Sequence, residues 1–276
     1  MATLLSSTSR DSLAEAGSRL DAAIDRSRGP DLAKIGDDLF AVLRLLTGQI
    51  TLRRHLADPS VPAGARSALA DRLFQNQIGR AALDVLSELV SARWSRAGDL
   101  VEALEQLARR AVLGVAEKSQ RLDDVEDELF RFGRILDREP QLGSLLADES
   151  APADRRAALL REVLGGRVSS VTTTLLEQTV RTPRGRHLYQ AAEELSELAA
   201  ARRDRYVAHV RTAVRLSPDQ EHRLAESLRR IYNRPISLQT ELDESLLGGL
   251  VVRIGGDLID GSVASKIATA RRTLPG

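Results

Sequence analysis

The feature that most limits what this chain can become is that it matches itself. When the sequence is slid by 90 residues, Leu39-Phe40 falls on Leu129-Phe130 and Arg44 on Arg134. The stretch Leu56-Ala57-Asp58-Pro59-Ser60-Val61-Pro62-Ala63 falls on Leu146-Ala147-Asp148-Glu149-Ser150-Ala151-Pro152-Ala153, and Arg66, Ala68 and Leu69 fall on Arg156, Ala158 and Leu159. Between residues 39 and 73, 14 of 35 positions are identical without a gap, against roughly three expected by chance. A period of 90 is too long for a solenoid unit, which runs to about 20–50 residues. It therefore describes a domain copied once. Pro62 and Pro152 each follow a serine by two positions, so both copies restart a helix after a short helix that ends at Ala-Asp.

The copied region reads as helix after helix from residue 10 to about 205. Leu13, Ala16, Leu20 and Ile24 recur at helical spacing, and Gly29-Pro30-Asp31 ends that helix and caps the next, which carries Leu32, Ile35, Leu39, Val42 and Leu46. No proline occurs from Asp99 to Glu139. There Leu100, Leu104, Leu107, Ala111 and Val115 form one stripe, and Val125, Leu129, Phe132 and Leu136 form another. This predicts two long helices or one bent helix, the first part of which closes copy one and opens copy two. The expected fold class is mostly α: two tandem, related helical bundles followed by a small C-terminal α/β module. The expected divisions are 1–110, 111–205 and 206–276.

After residue 205 the period changes. Val210, Thr212, Val214 and Leu216 alternate with Arg211, Ala213 and Arg215, which is strand spacing. Ser217-Pro218-Asp219-Gln220 offers an N-cap serine, a proline at the first helical position and a glutamine for a capping box. Leu224, Leu228 and Ile231 give that helix its buried side. Ile236, Leu238, Thr240 and Leu242 make a second strand, and Leu250, Val252 and Ile254 a third. Gly255-Gly256 suits a two-residue hairpin turn into Asp257-Leu258-Ile259. A last helix is expected near Ser262, with Val263, Ile267, Ala270 and Leu274 on one side.

The residues that carry chemistry are sparse. There is no cysteine, which excludes disulfides, thiolate metal sites and a cysteine nucleophile. The four histidines (His55, His187, His209, His222) show no metal-ligand spacing. The glycines from Gly248 to Gly261 lack the Gly-x-Gly-x-x-Gly order between a strand and a helix, and no Gly-Lys-Ser/Thr occurs, so they read as turn residues. The run Asp123 to Glu128 lacks the central glycine of a calcium loop and reads as the acidic first turn of a helix. Thr172-Thr173-Thr174 reads as packing, and Asp and Glu beside Arg at helical spacing read as solvated faces. No enzyme constellation emerges, and no cofactor, catalytic residue or metal site is expected. Basic and acidic residues number 40 and 39, which argues against nucleic-acid binding or adhesion to anionic membranes. No apolar run is long enough to span a bilayer, and the start, Met1 to Ser7, lacks the plan of a signal peptide.

The segment Ile236 to Val263 resembles the signature of the delta subunit of bacterial F-type ATP synthases, whose mitochondrial counterpart is the oligomycin-sensitivity-conferring protein. The resemblance lies in Asp243, Leu247-Gly248-Gly249, the apolar strand Val251 to Ile254, Gly256-Asp257 and Asp260-Gly261-Ser262. Leu56-Ala57-Asp58-Pro59 before an arginine-bearing helix is similar to the family's helical domain. Glu244 stands where the family usually has proline. Ordinary members carry one helical domain in about two-thirds of this length, whereas the duplication here resembles the enlarged delta subunits of actinobacteria.

The resemblance implies a non-catalytic stator subunit, peripheral on the cytoplasmic face of the cell membrane. It would join the catalytic head to the peripheral stalk and resist rotor torque. The implied partners are the N-terminal helices of the head's alpha subunits and the C-terminal end of the stalk b subunit. Amphipathic helices leave grooves for such partners. The expected alpha groove uses Leu13, Leu20, Ile24, Val85 and Leu89, and the expected b contact uses Leu246, Leu247, Leu250 and Val252. The alternative is a helical scaffold that carries a similar C-terminal module.

Overall fold

A computed structural model describes residues 5–204, 207–232, 236–243, 245–246, 248–254 and 257–262. It divides into two units, Met1–Ala199 and Ala200–Gly276.

The first unit is all helical. Its elements are α1 (Ser7–Arg26), α2 (Gly29–Gly48), α3 (Ile50–Ala57), α4 (Ala63–Phe74), α5 (Arg80–Ser91), α6 (Ala97–Lys118), α7 (Leu122–Arg138), α8 (Pro140–Ala147), α9 (Ala153–Leu164), α10 (Ser170–Arg181) and α11 (Leu188–Asp204). The 90-residue shift maps α3 onto α8, α4 onto α9 and α5 onto α10 end to end. It also lays α1 inside α6, α2 over α7, and α6 over α11. The unit is thus a six-helix pattern used twice with one helix shared. α6 is the sixth helix of copy one and the first of copy two. Sharing it means that α6 is buried on nearly every side, from Asp99 to Ala116. One apolar core runs without a break from Leu13 to Ala199 through both copies.

The region without proline is two helices, not one. The chain leaves the helical path at Ser119–Arg121, where Gln120 takes a left-handed φ of 55°.

Polar devices repeat as faithfully as the helices. Asp58 Oδ1 accepts from the Ser60 backbone N–H at 2.9 Å and the Ser60 hydroxyl at 2.7 Å. Asp148 accepts from Ser150 in the same way, at 2.9 and 2.6 Å. Each Asx turn bridges the short helix and the proline that starts the next. Asp38 on α2 accepts from the Gly79 N–H at 2.8 Å. Its counterpart Glu128 on α7 accepts from the Ser169 N–H at 3.0 Å and the Ser169 hydroxyl at 2.8 Å. A carboxylate at a helix N-terminus satisfies unpaired N–H groups and suits the dipole. Thr172, fully buried, completes this second cap by bonding Glu128, so it does more than fill space.

The second unit contains β1 (Val207–Thr212), α12 (Pro218–Tyr232), β2 (Ser237–Leu242), β3 (Leu250–Ile254) and β4 (Asp257–Asp260), in the sheet order β2-β1-β3-β4. β1 and β2 are parallel around α12, while β3 is antiparallel to β1 and β4 to β3. Ala208, Val210, Leu228, Ile236, Val252 and Ile254 form its core.

Two expectations need correction here. The first strand ends at Thr212, and Val214 is exposed, because the ladder stops where both neighbours stop: Thr212 pairs with Leu242 on one side and Leu250 on the other. Alternation continues to Leu216, but a strand needs partners for its backbone groups. Ile231 is also exposed, and Tyr232, four residues after Leu228, takes the packed position. The Gly255-Gly256 turn and the last helix with Val263, Ile267, Ala270 and Leu274 lie outside the described residues.

The capping box forms as expected. The Ser217 N–H donates to Gln220 Oε1 at 2.8 Å, and the Gln220 N–H donates to Ser217 Oγ at 3.3 Å. Ser217→Ala is expected to cost about 0.5–2 kcal/mol, read by urea denaturation. No change would mean that water caps this helix equally well.

Candidate docking faces

The expected groove in copy one lies between α1 and α5. Ser6 caps α1 by accepting from the Ser9 N–H at 3.3 Å. Ser9 then donates to Asp99 on α6 at 2.7 Å, a bond between two residues at equivalent positions of the repeat. The Ser12 hydroxyl donates to the Arg93 carbonyl at 2.8 Å. Arg19 bridges the helices, pairing with Glu15 at 3.0 Å and with Glu88 on α5.

The five residues expected to line this groove divide into two sets. Leu20, Ile24 and Leu89 have no exposed surface; they belong to the core that joins α1, α5 and α6. Leu13 is at the core's edge with 9% exposure, and Val85 is half-buried. The surface left open on this pair of helices includes half-buried Val85 together with Asp11, Ala14, Glu15, Ser18, Arg19 and Ala22, all six of which are exposed.

The same repeat positions carry a different structure in copy two. Glu15 and Arg19 become Glu105 and Arg109, again an i,i+4 pair, at 2.6 Å. Side-chain exposures of 66% and 59% in the first pair fall to 3% and 5% in the second. Arg184 and Arg186, from the turn between α10 and α11, close onto Glu105. Arg184 also pairs with Glu102 at 3.2 Å, and Glu194 pairs with Arg186 at 3.3 Å and Arg109 at 3.6 Å. Three arginines thus face three glutamates. Burial alone would raise the Glu105 carboxyl, but Arg109, Arg186 and Arg184 outweigh it and hold it below its ordinary value. Arg109 is lowered, by burial first and then against the pull of Glu105, yet a guanidinium stays charged in a protein. Reading acids beside arginines as solvated faces fails here.

Arg66 and Arg156 were visible only as identities in the repeat. Both are buried, at 3% and 5% exposure. Arg66 donates to the carbonyls of Val61 at 3.2 Å, Ala92 at 2.9 Å and Ser91 at 3.2 Å. Arg156 donates to Ala151 at 3.3 Å and to Val180. Each is a guanidinium that caps the carbonyl end of the copy's fifth helix.

In the second unit, Leu246 and Leu250 are half-buried, Val252 is in the core with 1% exposure, and Leu247 lies outside the described residues. Asp243 organises the approach to them. Its Oδ1 accepts from the Ser245 N–H at 3.0 Å and from the Ser245 hydroxyl, and its other oxygen pairs with Arg211 on β1. These bonds, the Ser245 hydroxyl first, hold its pKa below the ordinary value. Asp260 repeats the device, accepting from the Ser262 N–H at 2.9 Å.

A cleft of about 630 Å³ lies among Leu136, Asp137, Gly143, His187, Leu188 and Tyr189. None of the clustered ionisable groups around Glu105 lines it. Among the described residues no helix is long and apolar enough to cross a membrane.

Residues 109–274 match the family model described as ATP synthase delta (OSCP) subunit. The match begins inside α6 and so takes in the second copy and the C-terminal unit. The chain is 46% identical to ATP synthase subunit delta of Streptomyces avermitilis over 96% of its own length and 97% of the relative's. It is 45% identical to the subunit of the same name from Parafrankia sp., over 96% and 98%. It is also 43% identical to ATP synthase subunit b-delta of Mycobacterium sp. strain KMS, over 98% of this chain and 61% of that longer protein. A matched family model, and relatives this similar over nearly the whole length of both chains, make this chain a member of the ATP synthase delta (OSCP) subunit family.

Proposed function

We propose that the chain is the stator linker of an F-type ATP synthase, a non-catalytic subunit that ties the catalytic head to the peripheral stalk on the cytoplasmic face of the cell membrane. Membership in the delta family carries this reading. The fold supports it mechanically. A body that transmits torque must not shear, and the shared helix α6, the continuous core and the ion cluster at Glu105 knit residues 1–199 into one unit. The shifted ionisable groups close on one another rather than on a cleft, which is the arrangement of a structural lock and not of a reactive site.

The partners follow from the division of labour along the chain. We assign residues 1–110 and 111–205 to the two helical copies, which share α6 across that boundary, and 206–276 to the stalk dock. The exposed face of α1 and α5 around Val85 and Leu13 takes an N-terminal helix of an alpha subunit, with Leu20, Ile24 and Leu89 holding its floor in place. The C-terminal unit, near Leu246, Leu247, Leu250 and Val252, takes the b subunit. The Mycobacterium relative, whose name joins b and delta in one chain, supports the second contact, because fused proteins are commonly neighbours when separate.

Reconstitution of the synthase in proteoliposomes tests the function. Without this chain, ATP hydrolysis by the head is expected to persist while proton-driven synthesis is lost, and adding the chain back restores synthesis. Undiminished coupled synthesis in its absence would falsify the stator reading.

A further inference from the structure

The two copies do not offer the same groove. The sharing of α6 makes this a physical consequence of the duplication. α1 and α5 in copy one correspond to α6 and α10 in copy two. On α1 the outward stripe is Asp11, Ala14, Glu15, Ser18, Arg19 and Ala22, all exposed. On α6 the same positions are Val101, Leu104, Glu105, Ala108, Arg109 and Val112, with exposures of 1%, 0%, 2%, 0%, 4% and 2%. Half-buried Val85 on α5 corresponds to Leu175 on α10, exposed by only 1%.

α2 covers this stripe at Ala108 and Val112, while the α10–α11 turn and Glu194 close over Glu105 and Arg109. Gly36 lies against Val112 and Ala108, so closely that a Cβ there would overlap Val112, and Gly29 lies near Val115. Arg44, two turns beyond Gly36, donates to Gln178 on α10 at 2.7 Å. α2 thus packs along one wall of copy two's groove, α6, and reaches the other, α10, through the Arg44–Gln178 bond.

We propose that α2 is a built-in occupant of the second copy's groove, so that the chain receives one alpha-subunit helix, on α1 and α5 of the first copy, although the family model matches the second. This rests on the alpha-docking reading given above. The internal complex also describes the incoming helix. It runs antiparallel to α1, as α2 runs to α6. A small residue sits at Ser18 and Ala22, where Gly36 sits at Ala108 and Val112. A cation two turns later reaches Glu88, the acidic counterpart of Gln178. Small side chains at Ala14, Ser18 and Ala22 permit close approach of the helix axes, and the wider Val112 in copy two is matched by Gly36 of α2.

The test uses the full chain and a synthetic peptide of the alpha subunit's N-terminal segment, long enough to match the 20 residues of α2. Calorimetry is expected to give one site per chain. Ser18→Trp, and separately Ala14→Trp, should weaken binding at least tenfold while thermal unfolding stays where it was, and Glu88→Arg should weaken it several-fold. Hydrogen exchange should show protection on α1 and α5 and none added on α6 and α10. Two sites per chain, or one site that survives both tryptophan variants with protection on α10, would overturn the plugged groove and leave alpha docking standing. No binding at all would remove the docking reading and the proposal with it.

Discussion

Glu105→Gln is expected to destabilise the helical unit by about 3–5 kcal/mol, the cost of removing one partner from a buried ion pair. The Glu105 side chain is 3% exposed and that of Arg109 beside it 5%, and Arg184 and Arg186 close on the same carboxylate. An amide keeps the shape and removes the charge, so the guanidinium of Arg109 remains out of water with its closest carboxylate gone, facing Glu194 at 3.6 Å and the field of Glu102. The repeat supplies the control. Glu15→Gln removes the equivalent carboxylate from an i,i+4 pair in water, where such pairs contribute little, and no measurable change is expected. Urea denaturation of both variants reads the difference. Equal behaviour would mean that the cluster around Glu105 is hydrated in solution.

The same group sets a pH dependence. The folded state holds the Glu105 carboxyl below its ordinary value of 4.5, so its contribution is complete above about pH 4.5 and is lost as pH falls through the lower, folded value. Acidification therefore weakens the parent chain and not the glutamine variant at this site. The gap between their unfolding free energies should narrow below pH 4.5 and stay constant above it.

How much of this was legible in the sequence depends on what a position's burial depends on. The repeat, the helix starts at Pro62 and Pro152, the capping box at Ser217 and the strands at Leu238 and Val252 are local, and each is visible in residue types and spacing. The fate of Glu105 is not local. Glu15-x-x-x-Arg19 and Glu105-x-x-x-Arg109 are the same words, and both read as a solvated face. What separates them is that α6 serves two bundles and α1 serves one. One signal was available: a helix that closes one copy and opens the next has no side left for water, so charges along it must pair internally. The groove residues failed to declare themselves for a related reason. Periodicity finds the apolar stripe, which here is the core at Leu20, Ile24 and Leu89. A docking face consists of what remains, and small polar positions such as Ser18 carry no pattern that marks them.

Arg66→Met is expected to cost about 2–4 kcal/mol, for reasons that tie the core to the docking face. The last carbonyls of a helix have no partner within it, and burying them unpaired costs about 1–3 kcal/mol each. Arg66 spans the carbonyls of Ser91 and Ala92 at the end of α5 and that of Val61 before α4. One planar fork does this, with three donors aimed in different directions. Lysine, a single charge on a flexible stem, cannot span them, so Arg66→Lys should recover less than half of the loss. Arg156 performs the same task for α10, and Arg156→Met should behave alike. The two variants part in what else they change. Releasing the end of α5 loosens the turn that carries Glu88, so Arg66→Met should weaken the alpha peptide under conditions where the chain is still folded. Arg156→Met should leave peptide affinity unchanged, because the proposed site is on α1 and α5 and not on α10. Equal loss of affinity in both variants would mean that the two copies share the docking task. Loss in neither would mean that packing on its neighbouring helices holds α5 in place without the Arg66 cap.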